Sequence, residues 1–254
     1  MNTQRRKEWF DDESFWKETY PFMFPRKRFK ETPDQVEKIL QLVKPRGKAV
    51  LDLCCGPGRC AVALARKGFK VTGVDITEFL LKKAKARARR ARVKIEWVKC
   101  DMRDYLEHER FDLVLNMFTS FGYFDRKEED LQVLQNIFSG LKPGGIVLID
   151  VMGKERLANI LQPTTSDLLS NGTRVVQHHE IFDDWTRIRN EWMVIRKGRS
   201  KSFKFHHTIY SGQELRDRLE QVGFHKVQLF GSLDGAAYGP QAQRLIAVAR
   251  KSVH

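Results

Sequence analysis

Residues 50–59 read Val50-Leu51-Asp52-Leu53-Cys54-Cys55-Gly56-Pro57-Gly58-Arg59, a short apolar strand that runs directly into a glycine turn. Gly56 and Gly58 carry no Cβ, so the backbone of the turn can approach a ligand closely. A helix is predicted after the turn, and the free N–H groups at a helix N-terminus attract anionic groups. This stretch therefore predicts a strand, a ligand-binding turn and a helix, in that order.

The alternation of strand and helix continues along the chain. Apolar strands are predicted at 48–54, 70–74, 93–98, 111–117 and 146–151, and helices at about 59–67, 78–90, 127–140 and 154–161. This pattern predicts a parallel sheet with right-handed crossovers. A capping box at Ser211-Gly212-Gln213-Glu214 begins a further helix, and two strands at about 225–231 and 243–250 complete the chain.

Two segments depart from that alternation. Residues 8–30 are rich in aromatic side chains and contain Pro21 and Pro25, so the segment is predicted to pack against the core without a long helix. A helix start is predicted at Thr32-Pro33-Asp34-Gln35. Residues 173–210 alternate with period two, which predicts three antiparallel strands with turns near Asp183-Asp184 and Gly198.

Acidic residues stand at or near the carboxyl ends of three predicted strands. Asp52 lies four residues before the first glycine of the turn, Asp75 ends the second strand, and Asp101 follows the third. A carboxylate at Asp75 can accept hydrogen bonds from both hydroxyls of a ribose. Asp101 can accept from the exocyclic amine of adenine, while Met102 packs on the ring. Three such strand ends in this order predict a nucleoside cofactor.

Two cofactors fit a glycine turn of this kind. The spacing from Gly56 to Ala61 also matches the dinucleotide pattern, so NAD is an alternative. However, a negative group at Asp52 suits the amino-acid end of S-adenosylmethionine and disfavours a pyrophosphate. The adenine contact predicted for Asp101 and the two C-terminal strands favour S-adenosylmethionine as well.

Residues 48–151 resemble the core of class I methyltransferases. The resemblance rests on Asp52 to Gly58, Asp75, Asp101, Phe111-Asp112-Leu113-Val114 and Leu141-Lys142-Pro143-Gly144-Gly145. Cys54 stands where the usual motif has its first glycine. More narrowly, Phe15-Trp16, Tyr20-Pro21-Phe22, Phe24-Pro25 and Thr119-Ser120-Phe121-Gly122-Tyr123-Phe124 are typical of a methyltransferase-domain group with a β-rich insertion after the fifth strand.

The resemblance implies an α/β fold: a Rossmann-like, seven-stranded methyltransferase sheet with an inserted antiparallel β subdomain and an N-terminal helical lid. The expected organisation is a lid and first helix at 1–46, a cofactor-binding core at 47–152, an inserted substrate subdomain at 153–210 and a completion of the core at 211–254. The residues expected to bind S-adenosylmethionine are Tyr20, Asp52, Cys54, Gly56, Gly58, Asp75, Ile76, Asp101, Met102 and Asn116. Tyr20 is expected near the sulfonium.

The loop after the fourth strand is expected to face the methyl acceptor. It lacks the Asn/Asp-Pro-Pro-Tyr motif of adenine and amide methylation, and no cysteine follows Cys100 to serve as the nucleophile of cytosine carbon-5 enzymes. The residues predicted to shape the acceptor pocket are Phe24, Arg28, Ser120, Phe121 and Tyr123. His206, His207 and Tyr210 are candidate catalytic residues on the third inserted strand, where adjacent side chains face opposite sides.

The composition of the chain limits which binding partners are expected. The 254 residues carry a net charge of +14, and part of it lies in the basic run from Lys82 to Arg92. Ala84, Ala88 and Ala91 are spaced as the buried stripe of a helix, which favours a solvated outer face over a nucleic-acid site. No apolar run approaches the roughly 20 residues of a membrane span. We therefore expect a cytoplasmic enzyme that methylates a small molecule, with no metal site and no membrane association. An RNA methyltransferase and a non-catalytic cofactor-binding protein remain as alternatives.

Overall fold

The computed structural model describes residues 8–253, which contain two β-sheets flanked by helices. The helices are α1 (Glu13–Met23), α2 (Arg26–Val43), α3 (Arg59–Arg66), α4 (Glu78–Ala91), α5 (Lys127–Gly140), α6 (Lys154–Ile160) and α7 (Gly212–Val222), and a 3-10 helix at Trp9–Asp11 precedes them. The strands are β1 (Ala49–Leu53), β2 (Lys70–Asp75), β3 (Glu96–Lys99), β4 (Phe111–Asn116), β5 (Leu141–Val151), β6 (Thr164–Leu168), β7 (Arg174–Phe182), β8 (Arg187–Arg196), β9 (Arg199–Thr208), β10 (His225–Phe230) and β11 (Leu245–Arg250).

The larger sheet has seven strands in the order β10-β11-β5-β4-β1-β2-β3. Strands β1 to β5 run parallel, and β11 is antiparallel to both of its neighbours. This confirms the Rossmann-like sheet. The chain runs from β1 through β2 to β3 on one side of the sheet and then crosses back to β4 on the other side of β1. A crevice opens at such a reversal, beyond the carboxyl ends of the strands. The functional site is therefore expected there.

Helices pack on the faces of this sheet through the apolar stripes that the sequence predicts. Leu80, Leu81, Ala84 and Ala88 are buried on α4, while the lysines and arginines at 82, 83, 85, 89, 90 and 92 are exposed. Helix α2 packs against α3 and α3 against α4, whereas α5 packs against α7. Among residues 8–253, no helix combines the length and the apolar character that a membrane crossing needs.

The second sheet has four antiparallel strands, β6 to β9, where the sequence predicts three. The prediction missed β6 because its residues, Thr164 to Leu168, are mostly exposed and lack a period-two apolar pattern. β6 is an edge strand that pairs only with β7. The two predicted turns are confirmed, since Asp183, Asp184 and Gly198 all adopt positive φ angles.

The N-terminal helices correct the prediction of a helix start at Thr32. Helix α2 begins at Arg26 and runs through Thr32 and Pro33, with Pro25 in the N-cap position. The Thr32 hydroxyl donates to the backbone oxygen of Arg28, 2.6 Å away, instead of capping a helix. Pro33 is tolerated because its missing N–H removes a single hydrogen bond from a long helix. Pro21 likewise lies inside α1, so only Pro25 separates two helices.

Candidate active site

A cavity of about 960 Å³, counted with its open mouth, lies at the carboxyl ends of β1, β2 and β4. Its walls come from the glycine turn after β1, the ends of β2 and β3, the loop after β4 and the N-terminal helices. From the predicted cofactor set, the lining contains Asp52, Cys54, Gly56, Asp75, Ile76, Asp101 and Met102. From the predicted acceptor set, it contains Phe24, Arg28, Ser120 and Tyr123. Four residues of these two sets lie outside the lining, namely Tyr20, Gly58, Asn116 and Phe121.

The glycine turn holds three residues in the left-handed region: Cys54 at φ 59°, Gly56 at 54° and Gly58 at 73°. Gly56 faces the cavity. Gly58 faces the protein instead, because a Cβ there would lie 2.8 Å from the Trp97 ring and 2.9 Å from the Ala84 Cβ. The absence of a side chain at Gly58 therefore permits close packing beneath the turn, which is a different role from ligand approach.

Asp75 is anchored at the end of β2 by two backbone groups. Its Oδ2 accepts from the Gly56 N–H and its Oδ1 from the Thr77 N–H, each at 2.8 Å. Burial raises the pKa of Asp75, and these two hydrogen bonds oppose the shift. A carboxylate has about four lone-pair sites. Each oxygen thus keeps an acceptor site that a ligand hydroxyl can use, and this fits a ribose.

Asp52 lies deeper in the cavity wall and is 3% exposed. Its Oδ2 accepts from the Ala61 N–H at 2.9 Å. Burial raises the pKa of Asp52 to about 7, while the Ala61 hydrogen bond and the charge of Arg59 act in the opposite direction. A cation beside Asp52 would favour its ionised form. The ammonium group at the amino-acid end of S-adenosylmethionine fits this environment.

Asp101 lies on the loop after β3, where the Arg103 side chain donates to both of its carboxylate oxygens. Met102 is 7% exposed, and its Sδ lies 3.4 Å from the Cys54 Sγ. Ile76 is partly buried beside Asp75. These side chains form an apolar slot with a carboxylate at its rim, which fits an adenine ring.

The loop after β4 has a strained backbone. Phe118 and Thr119 have φ angles of 61° and 63°, which are rare for residues with side chains. Both N–H groups donate to Asp150, Phe118 to its Oδ2 at 3.1 Å and Thr119 to its backbone oxygen at 2.8 Å. The Arg244 Nε donates to the Asp150 Oδ1 at 2.5 Å. Sequence reasoning missed this ion pair because its partners are distant in the chain.

Asn116 and Phe121 support this loop from inside the protein. Asn116 is completely buried, and its Nδ2 donates to the backbone oxygen of Leu53 at 3.5 Å, which joins the ends of β4 and β1. Phe121 is 1% exposed and packs against the Tyr210 ring with 5.4 Å between the ring centroids. Their side chains therefore hold the frame of the cavity without forming its surface.

The three catalytic candidates all lie outside the cavity lining. The Tyr210 hydroxyl donates to the Asp130 Oδ2 at 2.6 Å, in the protein interior. His206 Nε2 lies 2.7 Å from the Asp125 Oδ1 near the surface. Burial, together with the charges of the neighbouring His206 and His179, lowers the pKa of His207 to about 4. His207 does approach the cavity indirectly, because its ring centroid lies 6.2 Å from that of Tyr123.

Aromatic side chains of the N-terminal segment cover the cavity. Phe10 and Trp16 belong to its lining. Trp9 stacks on Phe205 of β9 at 4.6 Å between ring centroids, so the segment also contacts the inserted sheet. Tyr20 lies behind this lining: it packs edge-on against Phe79 of α4 at 5.6 Å and against the cavity residue Phe24 at 5.2 Å between ring centroids. Trp16 and Tyr20 lie one turn apart on the same face of α1, so the first reaches the cavity and the second reaches α4, a distinction that the aromatic content of the segment does not reveal.

Known proteins share this fold and sequence pattern. Residues 50–145 match the sequence model of the family described as "Methyltransferase domain". A methyltransferase candidate of Bacillus subtilis (strain 168), YqeM, is 27% identical over 225 residues, covering 86% of this chain and 90% of that protein. The glycine/sarcosine N-methyltransferase of Aphanothece halophytica is 26% identical over 221 residues, covering 85% and 81%.

A solved structure extends the comparison to nearly the whole fold. The crystal structure of an S-adenosylmethionine-dependent methyltransferase from Clostridium acetobutylicum ATCC 824 superposes with a TM-score of 0.78 at 15% identity, covering 94% of this chain and 98% of that one. The sheet order, the cavity at the carboxyl ends of its strands and these similarities agree with one another. Residues 50–145 thus match a methyltransferase domain, and the chain as a whole has the Rossmann-like fold of that S-adenosylmethionine-dependent methyltransferase.

Proposed function

We propose that this methyltransferase transfers a methyl group to a small-molecule acceptor by in-line displacement. The observation that carries the proposal is the cover over the cavity, where Phe10, Trp16 and Phe24 from the N-terminal segment face Tyr123 from the loop after β4. A site enclosed by aromatic rings on two sides suits a small acceptor, because the complete molecule can enter the cavity. Such a site also excludes water from the reacting atoms.

The proposed cofactor contacts follow the geometry of the strand ends. Asp75 accepts from the ribose hydroxyls, Asp101 from the adenine amine, and Asp52 faces the amino-acid end. Ile76 and Met102 pack on the adenine ring, and the turn at Cys54 and Gly56 brings the backbone close to the cofactor. S-adenosylmethionine supplies an electrophilic methyl group on its sulfonium. The chain aligns the acceptor with that group, and alignment accounts for most of the rate advantage in such reactions.

The proposed acceptor pocket is the part of the cavity lined by Phe24, Arg28, Ser120 and Tyr123. Burial raises the pKa of Tyr123, so its hydroxyl stays protonated at neutral pH. Ser120 Oγ donates to the Met117 backbone oxygen at 2.9 Å and retains lone pairs as acceptor sites. These two hydroxyls can therefore orient a polar acceptor atom. The similarity to a glycine/sarcosine N-methyltransferase supports a small acceptor.

The experiment is a turnover screen with S-adenosylmethionine and separate panels of small amines, alcohols, thiols and carbon acids, with total RNA as a further substrate. We expect formation of S-adenosylhomocysteine with a member of the small-molecule panels and its loss when Asp75 is changed. Turnover with RNA alone would instead favour the RNA methyltransferase. Tight binding of S-adenosylhomocysteine without turnover on any panel would favour the non-catalytic alternative.

The basic helix α4 provides a first prediction. Replacing Lys82, Lys85, Arg89 and Arg92 with glutamine should leave turnover of a small acceptor unchanged within about twofold. These side chains are exposed and lie outside the cavity lining, and surface substitutions of this kind usually have little effect on stability. Filter binding of RNA should show little difference between the variant and the wild type at 150 mM salt. A large, salt-dependent loss of RNA affinity in the variant would contradict the small-molecule proposal.

The aromatic cover provides a second prediction. If residues 9–24 act as a lid, S-adenosylhomocysteine should slow hydrogen exchange in this segment by at least about tenfold, because ligand binding adds its free energy to the closed state. The exposed edge strand β6, from Thr164 to Leu168, lies outside the cavity lining and is the internal control: it exchanges by local opening and should do so at the same rate in both states. Equal exchange of residues 9–24 with and without the ligand would show a static wall.

A further inference from the structure

Arg103 is almost completely enclosed, with 3% of its side chain exposed. It follows β3 on the same loop as Asp101. Its Nε lies 3.1 Å from each Asp101 oxygen, and its Nη2 lies 2.6 Å from Oδ2. The Arg103 backbone N–H donates to Oδ1 at 2.8 Å. The plane of the Asp101 carboxylate is thus fixed by a guanidinium fork and a backbone donor, a geometry that lysine cannot reproduce.

The other side of the same guanidinium faces α5 and the N-terminal segment. Nη1 donates to the Glu129 Oε1 on α5 at 2.7 Å and lies 3.9 Å from the Glu8 Oε1 of the N-terminal segment. The guanidinium carbon also stands 4.3 Å from the ring centroid of Phe124 and 5.8 Å from that of Phe10, and both rings line the cavity. The Arg103 side chain therefore contacts Asp101 after β3, Glu129 on α5 and Glu8 of the N-terminal segment.

The backbone of Arg103 is anchored as firmly as its side chain. Gln132 Nε2 and Asn136 Nδ2, both on α5, donate to its carbonyl oxygen at 3.0 and 2.8 Å. Burial disfavours the charge of Arg103, but its hydrogen bonds with Asp101 and Glu129 raise its pKa overall. A buried guanidinium with two carboxylates is a fixed cation at all physiological pH values. Its position is then set by α5 and not by the ligand.

We propose that Arg103 is a positioning residue that orients Asp101 toward the adenine amine and joins this contact to the closure of the N-terminal segment. The inference rests on the proposed cofactor contacts. An Asp101 oxygen held in the correct plane distinguishes an amine donor from a carbonyl oxygen, because the latter would face the carboxylate as a second acceptor. Arg103 thus determines selectivity for the base, although it does not line the cavity.

The test compares two ligands that differ at the base. Wild-type protein should bind S-adenosylhomocysteine at least about tenfold more tightly than S-inosylhomocysteine, in which a carbonyl oxygen replaces the amine, as expected for one charge-assisted hydrogen bond. Arg103→Lys should weaken S-adenosylhomocysteine binding by about tenfold and reduce the preference to about threefold or less. Calorimetry measures both dissociation constants, and a thermal melt checks that the variant is folded.

Arg110→Lys is the matched control. Arg110 also sits between two carboxylates, Glu96 and Glu107, and beside an aromatic ring, that of Phe111, but it lies outside the cavity lining. This variant should keep both affinity and selectivity. If Arg103→Lys does not fold, Glu129→Gln removes one carboxylate from the guanidinium without changing Asp101, and it should lower the preference in the same direction.

The outcomes separate the two proposals. Equal weakening of both ligands by Arg103→Lys, with an unchanged preference, would show a merely structural role and overturn the inference. An unchanged preference in a folded Glu129→Gln would do the same if Arg103→Lys could not be measured. Wild-type protein that binds S-adenosylhomocysteine with no preference over S-inosylhomocysteine would overturn the Asp101 contact itself, and with it the role of Arg103, while leaving the rest of the cofactor site intact.

Discussion

Asp75→Asn should weaken the binding of S-adenosylhomocysteine by about tenfold to a hundredfold, which corresponds to the loss of a charge-assisted hydrogen bond. The carboxylate accepts the Gly56 and Thr77 N–H groups with one oxygen each. An amide provides only one oxygen, so its NH₂ group must face either the Gly56 N–H or the Thr77 N–H. In either orientation, one backbone donor loses its acceptor and the ribose loses one acceptor oxygen.

Asp112→Asn is the control for this prediction. Asp112 on β4 also accepts a backbone N–H, that of Ala49 at 2.8 Å, but it lies outside the cavity lining. Isothermal titration of both variants should show a loss of affinity for Asp75→Asn alone. Unchanged affinity in a folded Asp75→Asn would refute the assignment of β2's carboxyl end to the ribose.

The parallel core could be predicted because its strands are short, apolar and separated by helices with clear buried stripes. Where the pattern weakens, prediction fails. β3 begins at Glu96, although Val93 and Ile95 suggest an earlier start. The Val93 N–H still donates to the Ala88 oxygen, so the end of α4 uses Val93 before the strand can begin. Local hydrogen bonds of this kind leave no periodic signal.

The candidate site was predictable where a motif specifies the backbone, and less so where side chains meet from distant parts of the chain. The strand-end carboxylates Asp52, Asp75 and Asp101 all reach the cavity. The ion pairs of Arg103 with Glu129 and of Asp150 with Arg244 were missed, because each joins elements whose adjacency depends on the complete fold. Similarly, His206 and Tyr210 looked like candidate bases until the structure supplied their carboxylate partners, Asp125 and Asp130.

The Asp130–Tyr210 contact leads to a prediction about stability. Asp130 lies in the first turn of α5, is 1% exposed and accepts from the Tyr210 hydroxyl at 2.6 Å. Burial raises its pKa from 3.8 to about 7, and the Tyr210 hydrogen bond opposes the shift only in part. The folded protein therefore holds a proton on Asp130 at pH values where the unfolded chain has already released it.

The sign of the effect follows from proton linkage. A carboxyl group whose pKa is higher in the folded state stabilises that state fully at low pH, below the unfolded value near 4. This contribution is lost as the pH rises toward the folded value near 7. For a shift of this size, the change in the free energy of unfolding is of the order of 4 kcal/mol. Above pH 7, folding must accommodate a buried negative charge.

Asp130→Asn should remove this dependence, because the amide resembles the neutral, protonated carboxyl. We expect the variant and the wild type to be about equally stable at pH 4 and the variant to be more stable at pH 8, by up to about 4 kcal/mol. Urea denaturation at pH 4, 6 and 8 measures the difference between the free energies of unfolding of the two proteins. The contributions of Asp52 and the other buried carboxylates cancel in this difference, because both proteins contain them. Asp217→Asn, an exposed change on α7, should leave the wild-type profile in place. An equal loss of stability in Asp130→Asn at all three pH values would mean that Asp130 is already ionised in the fold and that Tyr210 stabilises its charge.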